Sequence, residues 1–302
     1  MESKDRLLLA GFLLTAGLLL ILGRTLIRDQ AIVTWGLTFG STTAVAVLLA
    51  SLYRLQLELK ASQFALAQKE AELHFALQVQ QALFPKSLPE DSQLEISAVC
   101  LPARGISGDY YDVLRPSKDR LVFVVADVSG KGISAAILVS NVQAALRLLV
   151  EQGLAADAVC SRLNLHLYHV TDPSKYVTLF YAEWIESSRL LRYVNAGHYP
   201  PLLVGKSLQL EQGGPPLGLF AESIYSTGEI KLLPGDVLLL FSDGIIEATN
   251  SKEDFGIERL KTVVEQHKDR KTVEIKDAVL TAVTKWGKTE DDVTLLVVKV
   301  KE

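Results

Sequence analysis

Carboxylates stand at the ends of four apolar stretches. Asp127 closes "LVFVVAD", Asp243 closes "VLLLFSD" with Gly244 behind it, Asp109 lies in "SGDYYD", and Asp291 and Asp292 open "DDVTLLVV". A lone Asp before Gly is ordinarily a turn former, because its side chain bonds nearby backbone. Four such sites in one chain are harder to dismiss. Acids gathered at one strand end repel, and each raises the pKa of the next unless a cation sits among them. Hard oxygen donors, in a chain with only 5 histidines, suit Mg2+ or Mn2+ rather than zinc. Within "VVADVSGKG" (124–132) a strand ends on Asp127, and Gly130 and Gly132 then permit a sharp turn. Lys131 between them reads as a solvated side chain. The stretch is no Walker loop: Val125 stands where the first glycine is needed, and Gly132 where Ser or Thr must follow the lysine. A Gly-x-Ser-x-Gly elbow, and with it a serine-hydrolase nucleophile, is absent. Neighbouring strand residues face opposite ways, so Asp291 and Asp292 are not equal ligands; periodicity leaves the choice open.

The elements that must hold these acids begin near residue 93. "LEISAVCLPA", "RLVFVVAD", "YVTLFYAEWI", "LLRYVN", "PPLLV", "DVLLLFSDG" and "DVTLLVVKV" are short β-rich runs bounded by Gly, Pro, Asn or Asp. Helical stretches are expected at about 133–152, 156–170, 257–268 and 272–286. Strands in succession, without strict alternation with helices, predict an α+β fold: a mostly antiparallel double sheet with helices on its outer faces. Upstream, 54–85 lacks Gly, lacks Pro before Pro85, and is rich in strong helix formers. Leu52, Leu59, Leu66 and Leu73 repeat every seven residues, while Ser62, Lys69 and Ala76 leave half the seam poor. This predicts a long helix, ended by Pro85 and Pro89, with either a weak coiled-coil tendency or an amphipathic face packed on the downstream domain.

Segments 7–23 and 31–53 are apolar and uncharged over membrane-spanning lengths, with only "RTLIRDQ" between them. Two spans in a helical hairpin satisfy their own backbone groups in lipid. Lys4, Arg6, Arg54 and Lys60 flank the pair and Arg24 and Arg28 lie between, which favours both termini inside. The expected division is therefore 1–53 as a membrane hairpin, 54–92 as a helical linker and 93–302 as the catalytic domain. A net charge of −4 without a basic stretch gives no electrostatic case for nucleic acid. Cys100 and Cys160 lack metal-ligand spacing and read as free thiols of a reducing compartment.

"SGDYYDV", "ADVSGKG", "NAGHYPP", "GGPPLG", "FSDGIIEATN", "FG" at 255–256 and "DDVTLLVV" occur in the order found in bacterial PP2C-like (PPM) serine/threonine phosphatases of the SpoIIE/RsbU type. The chain resembles that family over about 75–302, including "QVQQALFP". The resemblance implies an antiparallel β-sandwich flanked by helices, holding two Mn2+ or Mg2+ ions at one edge. It implies Asp127 as the bridging ligand, with Asp109 and the Val128 carbonyl on one ion and Asp243 and Asp291 completing the other. It also suggests Arg104 as a phosphate contact. The family usually has Gly-Gly-Asp where this chain has Ser107-Gly108-Asp109. Ser129 occupies the place of a histidine proposed as general acid in animal relatives, so no general acid is assigned. His198 reads as a structural turn residue.

The resulting expectation is a membrane-anchored phosphatase, multi-pass in the cytoplasmic membrane with its catalytic domain in the cytoplasm. Its expected substrate is a phosphorylated protein, a STAS-type anti-sigma antagonist or similar regulator, and it would dimerise through 54–84. The alternative is a catalytically inactive PP2C-like binding module.

Overall fold

Alternation along β3 (Arg120–Val128) divides its side chains between two apolar layers. Leu121, Phe123 and Val125 enter one layer, Val122, Val124 and Ala126 the other, and all six are fully buried. A strand covered on both faces must lie inside its sheet. β3 pairs antiparallel with β2 (Asp109–Ser117) and with β4 (Val177–Ile185). Beyond β4 comes β5 (Leu190–Ala196), which pairs parallel with β7 (Gly213–Gly214) and antiparallel with β8 (Gly228–Lys231). A second sheet has the order β1 (Leu94–Leu101), β10 (Val293–Val300), β9 (Val237–Phe241) and β6 (Leu202–Leu203), all antiparallel.

Three apolar layers follow from this period of two. Phe123, Phe180, Trp184 and Leu191 meet Leu94, Leu240, Leu296 and Val298 between the sheets. Helices Ile133–Glu151 and Ala156–Val170 cover the outer face of the first sheet. Helices Gly256–His267 and Thr272–Trp286 cover the second. The predicted mostly antiparallel sandwich with outer helices is what forms, and the four helices lie within a residue of their expected bounds. Strands β2, β7 and β8 were not among the expected runs: charges and Pro116 interrupt β2, and two glycines and a four-residue run carry too little pattern to stand out.

The computed structural model describes residues 13–21, 23, 30–103, 105–172, 174–206 and 208–302. By its contacts the chain divides into two compact units, Met1–Ala71 and Glu72–Glu302. Residues 13–21 are helical; the rest of the expected first span, 7–12 and 22, lies outside the described residues. From Gln30 to Gln81 the chain is one helix of 52 residues, so the expected linker helix continues an apolar one without a break. Trp35, Leu37, Phe39, Leu48, Leu49 and Tyr53 on it are exposed. Hydroxyls of its apolar part are satisfied within the helix: Thr38 donates to the Thr34 carbonyl at 3.0 Å, Thr42 to Thr38 at 2.8 Å and Thr43 to Phe39 at 2.7 Å.

The layer between the sheets is one of three that stabilise the C-terminal unit. Phe123→Ala should cost about 3–5 kcal/mol in chemical unfolding, whereas Leu148→Ala, at a position 63% exposed, should stay within about 0.5 kcal/mol of the unaltered protein.

Candidate active site

The end of the first sheet carries the first two acids. Asp109 and Asp127 are directly paired across the β2–β3 ladder. Both share the alternation that sends Val113, Phe123 and Val125 between the sheets, so both carboxylates are directed to the intersheet side. Asp109 is buried and Asp127 half-buried. After Val128 the chain turns on Gly130 (φ 101°) and Gly132 (φ 78°), a backbone that only glycine adopts without strain. Gly108 lies against this turn: a Cβ there would stand 3.4 Å from the Val128 carbonyl oxygen, an ordinary contact.

The second sheet supplies the others. β9 ends at Phe241, and Asp243 opens a one-turn helix, Asp243–Ile246, after Ser242. Ser242 is tied to β10: its N–H donates to the Thr294 carbonyl at 3.0 Å, and its Oγ accepts the Thr294 N–H at 2.9 Å. Gly244 is required here, since a Cβ would stand 2.1 Å from the Asp292 carbonyl oxygen. His198 joins the two sheets at this end. Its Nε2 donates to the Phe241 carbonyl at 3.1 Å, which leaves Nδ1 to accept the Thr178 hydroxyl at 2.9 Å. Burial pushes the imidazole down to about 4, so it is neutral at pH 7 and structural, as expected. Thr178 is the β4 partner of Asp127, and Phe241 is two residues from Asp243. The histidine thus sets the spacing of the strand ends that bear the two acids.

The acids lie within electrostatic reach of one another. Burial, followed by the Asp127 charge, holds the Asp109 carboxyl well above its usual range. Burial, then the charges of Asp243 and Asp291, pushes Asp127 up to about 7. Asp243 is raised by burial and by Asp291. Asp109 Oδ2 is buried without a hydrogen-bond partner. A buried carboxylate oxygen with no donor, ringed by like charges, is the environment a divalent cation relieves. The donor set fits Mg2+ or Mn2+. Among the described residues no three His, Cys, Asp or Glu side chains are drawn together as a ready-made cage. The cation nearest to hand is Lys131, whose Nζ stands 2.7 Å from Asp291 Oδ2 and whose charge lowers both Asp127 and Asp243. The expectation of a merely solvated Lys131 is therefore corrected: the turn on Gly130 and Gly132 aims its ammonium at the acids.

Asp291 and Asp292 have different surroundings. Asp291 is half-buried and pairs with Lys131. Asp292 is buried and receives three donors: Ala103 N–H at 2.7 Å on Oδ1, and Gly108 N–H at 2.6 Å and Ser107 hydroxyl at 3.0 Å on Oδ2. Ser129 serves the turn, with its Oγ accepting the Tyr176 N–H at 2.8 Å. Arg104 lies outside the described residues. Sequence reasoning missed Gln80, on the last turn of the long helix. It is buried, donates from Nε2 to the Ser107 carbonyl at 2.6 Å and accepts the Ser107 N–H on Oε1 at 2.9 Å. The quoted "QVQQALFP" was the only hint that this turn mattered.

A two-sheet sandwich between helices, with acids from both sheets at one end, is the architecture of a PP2C-type phosphatase domain. Residues 117–301 match the family model of Stage II sporulation protein E (SpoIIE). The chain is 30% identical over 238 residues to phosphoserine phosphatase RsbU of Bacillus subtilis, covering 77% of this chain and 71% of that protein. It is 27% identical over 227 residues to phosphoserine phosphatase RsbP of the same organism, spanning 54% of its length. Among solved structures, the RsbU and RsbW domains of Rv1364c from Mycobacterium tuberculosis superpose with TM-score 0.63 at 26% identity, over 71% of this chain and 62% of that one. The SiaA-PP2C domain of Pseudomonas aeruginosa superposes with TM-score 0.70 at 19% identity, over 78% and 99%. The chain belongs to the SpoIIE family and carries a PP2C-type protein serine/threonine phosphatase domain.

The repulsion has a pH signature. Asp127 moves from 3.8 to about 7 on folding, so its neutral form stabilises the metal-free protein below pH 4, and that stability is lost as pH rises through about 7. Asp127→Asn should therefore raise the melting temperature of chelator-treated protein at pH 8, by more than at pH 5. An equal shift at both pH values would show that Asp127 does not titrate as described.

Proposed function

We propose that this protein is a membrane-anchored, divalent-metal-dependent phosphatase of phosphoserine or phosphothreonine in a bacterial regulatory protein. One observation carries the reading: the buried Asp109, whose Oδ2 has no hydrogen-bond partner, faces Asp127, with Asp243 and Asp291 within electrostatic reach of Asp127. Asp109, Asp127, Asp243, Asp291 and the Val128 carbonyl would hold two ions, Mn2+ or Mg2+. A relative, RsbX, has been solved in complex with magnesium. When bound, such ions acidify water and stabilise phosphoryl oxygens during in-line attack. The chain's own part is positioning. β3 and the ladder to β2 fix the separation of Asp109 and Asp127, His198 sets the second sheet's acids against them, and Arg104 is proposed to meet the phosphate. Retention of all the acids argues against an inactive binding module.

The relatives named phosphoserine phosphatase, and the neighbour that joins RsbU and RsbW domains, support a phosphorylated regulator as substrate, and we propose one of the STAS type. The membrane reading rests on an apolar helix stretch with exposed side chains and internally satisfied hydroxyls, which suits hydrocarbon. The proposed arrangement is the hairpin 1–53, the linker 54–92 and the catalytic domain 93–302 in the cytoplasm. Leu52, Leu59 and Leu66 are exposed along one seam, which supports a homodimer through 54–84. Because Gln80 grips Ser107 two residues before Asp109, the state of that helix could set the geometry of an acid.

Two measurements test this. Asp243→Asn should lower Mn2+-dependent dephosphorylation of a phosphoserine protein by roughly 100-fold or more, since even outer-shell partners of a metal cost 10–100-fold; full activity would remove the metal mechanism. The full-length chain should sediment with membranes and resist carbonate extraction. Recovery in the soluble fraction without detergent would remove the hairpin.

A further inference from the structure

Ser107 is fully buried, and every polar group of that residue is engaged. Its N–H and C=O are both held by Gln80, as described above. Its hydroxyl has one proton, which goes to Asp292 Oδ2 at 3.0 Å. The oxygen's lone pairs are then left to accept, and they take the Asp109 N–H at 3.0 Å and face the Cys100 Sγ at 3.3 Å. With the hydroxyl proton committed to a carboxylate, the thiol is the donor in that last contact. Burial pushes the Cys100 thiol up to about 12, so it keeps the proton it donates.

Asp292 completes the unit. Among the described residues its three donors are Ala103, Ser107 and Gly108, so its carboxylate is spent on the chain that leads into Asp109. Asp292 Oδ2, Ser107 Oγ and the Asp109 N–H form a continuous chain from the start of β10 to the start of β2. The carboxylate at the far end, Asp109, has an oxygen with no donor. Its backbone is pinned while that oxygen is left open, which is preorganisation for a cation. Glycine or alanine at 107 would leave a buried Asp109 N–H without its acceptor and Asp292 short of a donor.

We propose that Ser107 and Asp292 form a hydrogen-bonded latch that positions Asp109, and so sets the affinity of the acidic site for its divalent ion. In this division Asp291 is the ligand and Asp292 the positioning residue. The proposal rests on the metal-dependent reading above.

The test is calorimetric titration of Mn2+ into the full-length protein in detergent, with melting temperatures recorded in chelator. Ser107→Ala should weaken Mn2+ binding by about threefold to tenfold, the worth of one buried hydrogen bond. Ser107→Thr, which keeps the hydroxyl, should restore binding to within about twofold of the unaltered protein, less than one such bond is worth. Combining Ser107→Ala with Asp292→Asn should weaken binding little beyond the larger single loss, because the two act as one unit. Unchanged Mn2+ affinity in Ser107→Ala, even with a lowered melting temperature, would reduce the serine to structural support and overturn the latch. An equal loss in Ser107→Thr would overturn it too, by assigning the effect to volume. Failure of the unaltered protein to bind Mn2+ would overturn the metal reading itself, and the latch with it. Should Asp292→Asn not fold, the Ser107 pair alone decides.

Discussion

Asp109 and Asp127 face each other across adjacent strands, and like charges directly opposite in a ladder are destabilising. Here the penalty is sharpened by burial, because Asp109 is almost fully withdrawn from water. The fold tolerates this only because so much else is fixed around it. β3 is buried on both faces by Leu, Phe and Val side chains, which hold the strand whatever its last residue prefers. Natural sequences break local rules where function requires it, and this ladder pair is such a place. Asp243 and Asp291 add to the same repulsion from the second sheet, so the cost is shared by both halves of the sandwich.

The rest of the site reads as the means of keeping that repulsion in one place. His198 bridges Thr178 and the Phe241 carbonyl, neutral because burial forbids its charge. A charged imidazole there would relieve the acids and remove the need for an outside cation. Lys131 is a positive charge beside the acids, and it is half-exposed and on a turn, where a larger charge can displace it. A buried lysine would have closed the site. Arg147 performs the opposite service a few residues away: it pairs through Nε with the buried Asp112 at 2.8 Å, with Tyr110 donating to the same carboxylate at 2.6 Å. Two acids three positions apart on one strand are thus treated differently. Asp112 is neutralised from within, and Asp109 is left open.

Much of this was legible in the chain. Continuous apolar runs that end on Asp127 and Asp243 mark both strands, and Gly130 and Gly132 announce a turn whose positive φ the structure shows. The long helix was visible, though its continuity with the apolar segment was not, because composition changes at 53 while backbone conformation does not. Long-range polar pairing lay beyond reach. Asp292 meets Gly108 across 184 positions, and no periodicity links two such residues. The same limit hid Gln80 and the role of Lys131. Strand alternation does not govern the Asp291–Asp292 pair, which precedes β10; Lys131 beside Asp291, and the donors of Ala103, Ser107 and Gly108 on Asp292, distinguish their surroundings.

The most direct test of the central claim is anomalous diffraction at the manganese edge from crystals of the protein grown with Mn2+. The expected result is manganese beside Asp127, with Asp109, Asp243 and Asp291 in contact and Asp292 still bonded to Gly108 and Ser107. Manganese bound away from Asp127, or coordinated by Asp292 in place of Asp291, would contradict it.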